Sequence, residues 1–159
     1  AKNYTNYHHV ILRLGRSYLN YAEACLRLNE KDKAVEYINK TRAIHGGLPA
    51  HDAATMTIDD VWKAYKSERR VELFFEGDRY WSLIRWGKAD GLEVIPELNH
   101  AFQTLEIAAD GHSYELIDVP DVHGNNIRSF SAKRYLFPIP KKEMELNKNL
   151  ANDQNPGWN

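Results

Sequence analysis

Residues 67–88, SERRVELFFEGDRYWSLIRWGK, interleave acids, arginines and large aromatics, with Gly77 splitting the run. This segment constrains the fold more than any other. Glu68, Glu72 and Glu76 recur every four residues, so a helix stacks them on one face, where like charges repel unless cations sit between them. Arg69, Arg70, Arg79 and Arg85 are interleaved with them, and a planar guanidinium bonds a carboxylate with two parallel hydrogen bonds. The surrounding rings lower solvation, which makes an unpaired charge costly. The segment is therefore expected to be a partly buried ion-pair clamp made of Glu68, Arg69, Arg70, Glu72, Glu76, Arg79 and Arg85, fastening two helices. A different reading of the same acids is a pair dividing general acid and base roles, as in glycoside hydrolysis. It carries less weight, because the arginines already answer the charge.

The helices follow from apolar spacing. In VILRLGRSYLNYAEACLRL, 10–28, Leu14, Tyr18, Tyr21, Ala22 and Cys25 recur at three and four residue steps. The NEKDK joint leads to a second helix, 34–44, on Ala34, Val35, Ile38 and Ile44, which HGG at 45–47 stops. Ala22 and Ala34 are small enough for close backbone approach, as in one tetratricopeptide-like helix pair over 1–47. One such pair cannot bury its own apolar face and needs neighbours. Thr57 with Asp60 predicts a capping box for a third helix. Its residues 71–75 are apolar nearly all round, which predicts that it runs into the interior until Gly77 ends it. Asp78 is placed to cap a short helix, 79–86, closed by Gly87. Together these are signature helices over 57–87.

Beyond residue 90 the pattern changes. Pro96 makes 90–103 irregular or briefly helical. Residues 104–118 alternate around Asp110-Gly111, which predicts a hairpin with a two-residue turn. Residues 127–137 read as extended, 141–146 as one or two helical turns, and the end as turn-rich. The expected class is mainly α, with a helix hairpin, further helices, a small β-hairpin and an extended irregular C-terminal part over 104–159. The chain opens on Ala1 without a leader and is expected to be a piece of a longer protein.

Other chemistry finds little support. Net charge is −1, which gives no electrostatic case for nucleic acid or an anionic membrane. Cys25 is the only cysteine, excludes an internal disulfide and reads as a buried inert thiol. His8, His9, His45, His51, His100, His112 and His123 lack metal-site spacing, so no metal or cofactor is expected. No serine-nucleophile elbow or phosphate loop is present. Four Trp and nine Tyr are compatible with stacking on sugar faces. Yet Trp62, Trp81 and Trp86 sit on apolar helix faces, where core packing is expected. Loop residues Tyr4, Tyr7, His112, Tyr114, His123 and Asn126 remain, with Tyr114, His123 and Asn126 kept as ligand-binding candidates.

Three segments resemble one family in order. RRVELFFEGDRYWSLIRWG, 69–87, is similar to the signature of SusD/RagB nutrient-binding proteins. ILRLGRSYLNYAEACLRL, 11–28, resembles that family's arginine-bearing helix followed by Tyr-Ala-Glu-Ala. YLFPIPKKEMELNKNLANDQNPGW, 135–158, resembles its ending, with Gln-Asn-Pro-Gly and an aromatic. Asp78 departs from the family, which often has His there, with little expected effect on the fold. The chain resembles only the C-terminal part of the much longer family members, as one SusD-like region over 1–159.

The resemblance implies a non-catalytic lipoprotein on the outer face of the outer membrane, anchored by a lipid upstream of this chain. It implies capture of oligosaccharides, or sometimes peptides, for a SusC-like TonB-dependent transporter. It places no binding residue in this chain. Alternatives from other classes are a helical-repeat scaffold for protein partners and a carboxylate glycosidase.

Overall fold

The computed structural model describes residues 11–119, 129–150 and 152–158. The chain divides into two compact units, Ala1–Arg79 and Tyr80–Asn159. It is mainly helical, with one two-stranded antiparallel sheet among the described residues.

In the first unit, α1 (Leu14–Arg27) and α2 (Lys31–Asn39) form the helix pair. The joint is a left-handed stop. Asn29 takes φ 59°, its N–H bonds Leu26 O at 3.1 Å, and the Glu30 N–H bonds Cys25 O at 2.8 Å. Together these satisfy carbonyls that the helix end leaves open. Ala22 and Ala34 are both fully buried, as close approach of two backbones requires. Cys25 is buried and free. Beyond α2 the chain widens into a π-helical turn, Lys40–His45, closed by Gly46 N–H on Thr41 O at 3.0 Å. Asn39 then pins the following loop, since its side chain donates to His51 O at 2.9 Å and accepts from His51 N at 2.8 Å.

α3 (Ile58–Glu72) starts on the capping box. Thr57 Oγ1 accepts from Asp60 N at 3.2 Å, and Asp60 Oδ2 accepts from Thr57 N at 3.1 Å. Val61 and Tyr65 bury fully with Leu19, Leu26, Val35 and Ile38 in this unit's core. The helix does not run inward as its apolar end predicts. It stops at Glu72, and only Leu73 of the following run is buried. Phe75 takes φ 62° and is 94% exposed, and Gly77 takes φ 68°. Two left-handed residues in three turn the chain outward one helical turn early.

α4 (Asp78–Ala89) has its first two residues in the first unit and the rest in the second, and it continues past Gly87. Gly91, at φ 68°, makes the stop, with its N–H on Lys88 O at 3.3 Å and Leu92 N–H on Gly87 O at 2.8 Å. Gly87 has another role. A Cβ there would lie 2.5 Å from Tyr135 Oη and 2.8 Å from two atoms of Ile95, so the bare backbone makes room for both. Leu83, Trp86, Ile95, Leu98, Ala101 and Phe130 are the buried apolar residues among the described residues of the second unit.

β1 (Phe102–Ile107) pairs antiparallel with β2 (Tyr114–Val119), Leu105 opposite Leu116 and Ile107 opposite Tyr114. The turn is longer than the two residues predicted. Ala108 N bonds Ser113 O at 3.0 Å, and Asp110 Oδ1 accepts from His112 N at 2.8 Å and Ser113 N at 3.1 Å. The side chain of Asp110 thus folds a four-residue loop that Asp-Gly alone would have closed in two. A 3-10 turn at Ala132–Tyr135 interrupts the stretch read as extended. After it come the chain to Pro140 and α5 (Lys141–Leu146).

Candidate functional site

The acids of the signature segment are paired chiefly by arginines that precede it by some sixty residues. Arg13 Nε donates to Glu76 Oε1 at 2.6 Å, and its Nη atoms reach both the carboxylate and the carbonyl of Glu72. Arg16 bonds Asp78 Oδ1 at 2.8 Å and Glu76 Oε2 at 3.1 Å. Arg69 grips Asp78 with two parallel bonds, Nε to Oδ2 at 2.8 Å and Nη2 to Oδ1 at 2.7 Å. Its Nη1 also donates to Asn20 Oδ1 at 2.8 Å and to the Tyr65 hydroxyl at 3.2 Å. That hydroxyl in turn donates to buried Glu23.

Arg13 and Arg16 supply guanidinium partners that the expected cluster did not include. Arg70 is exposed and Arg79 half-buried. Arg85, in the second unit, is exposed, with its guanidinium 5.8 Å from the Trp86 ring. Glu68 faces Arg42 at 4.0 Å. Glu76 lies beyond the end of α3, so the three glutamates do not share one helix face. Asp78, read as a minor departure, is instead a buried acceptor for two guanidinium groups. Arg13 and Arg16, missed by local reading, flank Gly15. A Cβ on Gly15 would collide with the Glu72 carboxylate, so the Arg-Leu-Gly-Arg run at 13–16 pairs two guanidinium groups with a residue bare enough to let Glu72 approach.

Electrostatics follow from this geometry. Burial raises the Glu72 pKa, but hydrogen bonds and charge from Arg13 and His45 outweigh it, and the carboxyl ends below its ordinary value. His45 Nδ1 lies 3.0 Å from Glu72 Oε1. Burial drives the Tyr65 phenol well above its usual range, opposed by the Arg69 charge and reinforced by Glu23. Burial lowers Arg69, and its bonds to Asp78 more than reverse that. Glu72 is thus held as a charged acceptor between Arg13 and His45, an arrangement suited to rigidity and poorly suited to proton shuttling.

Among the described residues no group of three His, Cys, Asp or Glu could hold a metal ion. Trp86 is buried, whereas Trp81 is 57% exposed and contradicts its expected place in the core. Trp62 is half-buried, with the Arg27 guanidinium 4.8 Å from its ring. His123 and Asn126 lie outside the described residues, as do Tyr4 and Tyr7. His112 is exposed in the hairpin turn. Tyr114, 67% exposed, borders a hollow of about 420 Å³ at the hairpin tip, lined also by Glu106, Ile107, Ser113 and Glu115.

The chain is similar to SusD-like protein P25 of Formosa agariphila, with 29% identity over 139 residues, 87% of this chain and 22% of the relative. SusD-like protein P38 of the same organism is 32% identical over 97 residues, 57% of this chain and 19% of the relative. Among solved structures, a SusD-like protein of Bacteroides fragilis superposes with TM-score 0.71 at 25% identity, covering 94% of this chain and 26% of that one. A Bacteroides vulgatus protein described as a "putative sugar binding protein" gives TM-score 0.55 at 29% identity, covering 94% and 28%. The chain thus spans about a fifth to a quarter of the length of these proteins. The SusD family model matches residues 1–158, and the chain belongs to that family.

Proposed function

We propose that this chain serves in non-catalytic capture of oligosaccharides at the cell surface, for uptake through a SusC-like TonB-dependent transporter. Family membership over residues 1–158 is the observation that carries this reading. The naming of the B. vulgatus neighbour as a "putative sugar binding protein" supports the ligand class. The paired carboxylates support a scaffold in place of a hydrolase, because Glu72 and Glu76 are each engaged by arginine. In this reading the cluster of Arg13, Arg16, Arg69, Glu72, Glu76 and Asp78 is mortar between helices, and Tyr114 is a ligand contact at the hairpin tip. A lipid anchor outside this chain holds the protein on the outer face of the outer membrane.

Calorimetric titration of malto-, xylo-, cello- and manno-oligosaccharides, with a reducing-end assay alongside, tests the ligand class and the absence of catalysis. Saturable heat with at least one series and no new reducing ends is expected. No saturable binding to any series overturns glycan capture by this chain, and release of reducing ends that Glu72→Gln abolishes overturns the non-catalytic reading. Retention of a TonB-dependent transporter on the detergent-solubilised, tagged protein tests the partnership, and its absence overturns that part.

A further inference from the structure

We infer that the free edge of β1 takes up an extended segment of a protein partner as a third strand, and that this segment alternates apolar with basic residues. The inference is independent of glycan capture. Among the described residues β1 pairs only with β2. Both faces of this ribbon are exposed toward its tip. A two-stranded ribbon is marginal in water until a further element covers it.

The register decides which backbone groups are free. Ala108 N bonds Ser113 O at 3.0 Å, and these two residues follow the Ile107–Tyr114 pair. Hydrogen-bonded and non-hydrogen-bonded pairs alternate along an antiparallel ladder. Glu106 and Glu115 therefore bond each other's backbone, while Leu105–Leu116 and Ile107–Tyr114 do not. The N–H and C=O groups of Gln103, Leu105 and Ile107 consequently point out from the β1 edge. β1, FQTLEI, also lacks the Lys and Pro with which edge strands are commonly blunted. Strand addition needs such a row of unmet donors and acceptors.

The side chains define what the added strand carries. Leu105, Leu116, Ile107 and Tyr114 share one face and are 54–67% exposed. On the other face Glu106 lies directly opposite Glu115. Like charges so placed destabilise a sheet, and among the described residues neither carboxylate joins an ion pair. The hairpin itself, 102–119, has four acids and no Lys or Arg to answer them. The hollow at its tip borders both glutamates, so an incoming side chain can reach them. Side chains of an added strand alternate between the same two faces. Those beside Leu105 and Ile107 are then apolar, and the one beside Glu106 is Lys or Arg. A second copy of the chain fits worse, because its own β1 brings another Glu106 and no cation. Addition at β1 leaves Tyr114, on β2, outside the new pairing.

The test titrates the isotope-labelled wild-type chain with a synthetic peptide of alternating Val and Lys, blocked at both ends. Saturable binding is expected, with slowed amide exchange at Leu105 and Ile107 and unchanged exchange at Tyr114 and Leu116. A Val–Glu peptide of the same length is expected to bind about tenfold more weakly or worse, because it sets like charges together. Glu106→Lys combined with Glu115→Lys is expected to reverse that order. Both positions are exposed, so the change spares the core. Methylating the Val nitrogens of the Val–Lys peptide removes the donors that face Leu105 and Ile107, and is expected to abolish binding. No saturable binding, equal affinity for the two peptides, or protection on β2 in place of β1 overturns the proposal. Self-association that protects the β1 amides without peptide also overturns it, in favour of a second copy.

Discussion

Arg69 and Asp78 form a doubly hydrogen-bonded ion pair, 2.8 and 2.7 Å long, between residues only 5% and 8% exposed. It ties the last turn of α3 to the first residue of α4 across the outward loop of Phe74–Gly77. Asp78→Ala leaves the Arg69 charge buried without its carboxylate, and breaking a buried pair in this way costs about 3–5 kcal/mol. Urea unfolding is expected to show a loss near the lower figure, because Tyr65 and Asn20 still accept from Arg69. Asp78→Asn, which keeps an acceptor, is expected to lose less. A loss below about 1 kcal/mol for Asp78→Ala would show that the pair does not fasten the helices.

Glu72 gives the pair cluster a pH dependence. Burial works against its charge, but Arg13 and His45 hold its pKa below the ordinary 4.5. The unfolded chain therefore takes up this proton first as pH falls. The stabilisation is complete above about pH 4.5 and is lost as pH drops through the lower folded value. Unfolding free energy measured from pH 7 to pH 3 is expected to fall less steeply below pH 4.5 in Glu72→Gln than in the wild type. Identical acid slopes would remove Glu72 from the account.

Local signals in the sequence carried the local structure, and failed where the partner lies far away in the chain. The capping box of Thr57 and Asp60 depends on neighbours, as do the alternating strands of the hairpin, and both are readable from sequence. Arginine partners are another matter. Arg69, Arg70, Arg79 and Arg85 are near in sequence, yet Arg13 and Arg16 take Glu72, Glu76 and Asp78 jointly with Arg69. Nothing in residues 67–88 points to them. The run Leu73–Phe75 looks helical because its residues are apolar, and only the left-handed Phe75 reveals the turn. Trp81 resembles its buried neighbour Trp86 in composition and spacing alike. Its exposure depends on what packs against α4, which periodicity does not encode.

Gly87 tests the close approach inside the second unit. A Cβ there meets Ile95 at 2.8 Å, and Ile95 is 2% exposed with no room to retreat. Overpacking costs about 1–3 kcal/mol, against a helix-propensity gain of about 1 kcal/mol for replacing glycine by alanine. Gly87→Ala is expected to destabilise by up to about 2 kcal/mol, the difference between those terms. Shortening Ile95 to Val removes one of the two colliding carbons, so the glycine substitution is expected to cost less in that background than in the wild type. Strict additivity of the two changes in thermal unfolding would place the strain elsewhere.

Gln154 tests what holds the chain at Ile139 by chemistry in place of size. Its amide both accepts from Ile139 N and donates to Ile139 O, at 2.8 and 3.0 Å, and accepts from Asn155 N at 2.8 Å as well. Only a side chain with donor and acceptor side by side can do this. Gln154→Glu is nearly isosteric, but at neutral pH its carboxylate has no proton to give, and the Ile139 carbonyl then faces a second acceptor. Leaving that carbonyl unmet and opposed is expected to cost about 1–3 kcal/mol locally. The loss should appear as faster hydrogen exchange at the Ile139 amide. Below the carboxyl pKa the glutamic acid regains an O–H donor, so protection is expected to recover in part as pH falls, after correction for the intrinsic exchange rate. The wild-type amide has no such titration. Equal protection in wild type and Gln154→Glu at pH 7 would mean that the Pro138 and Pro140 backbone holds this segment without the amide.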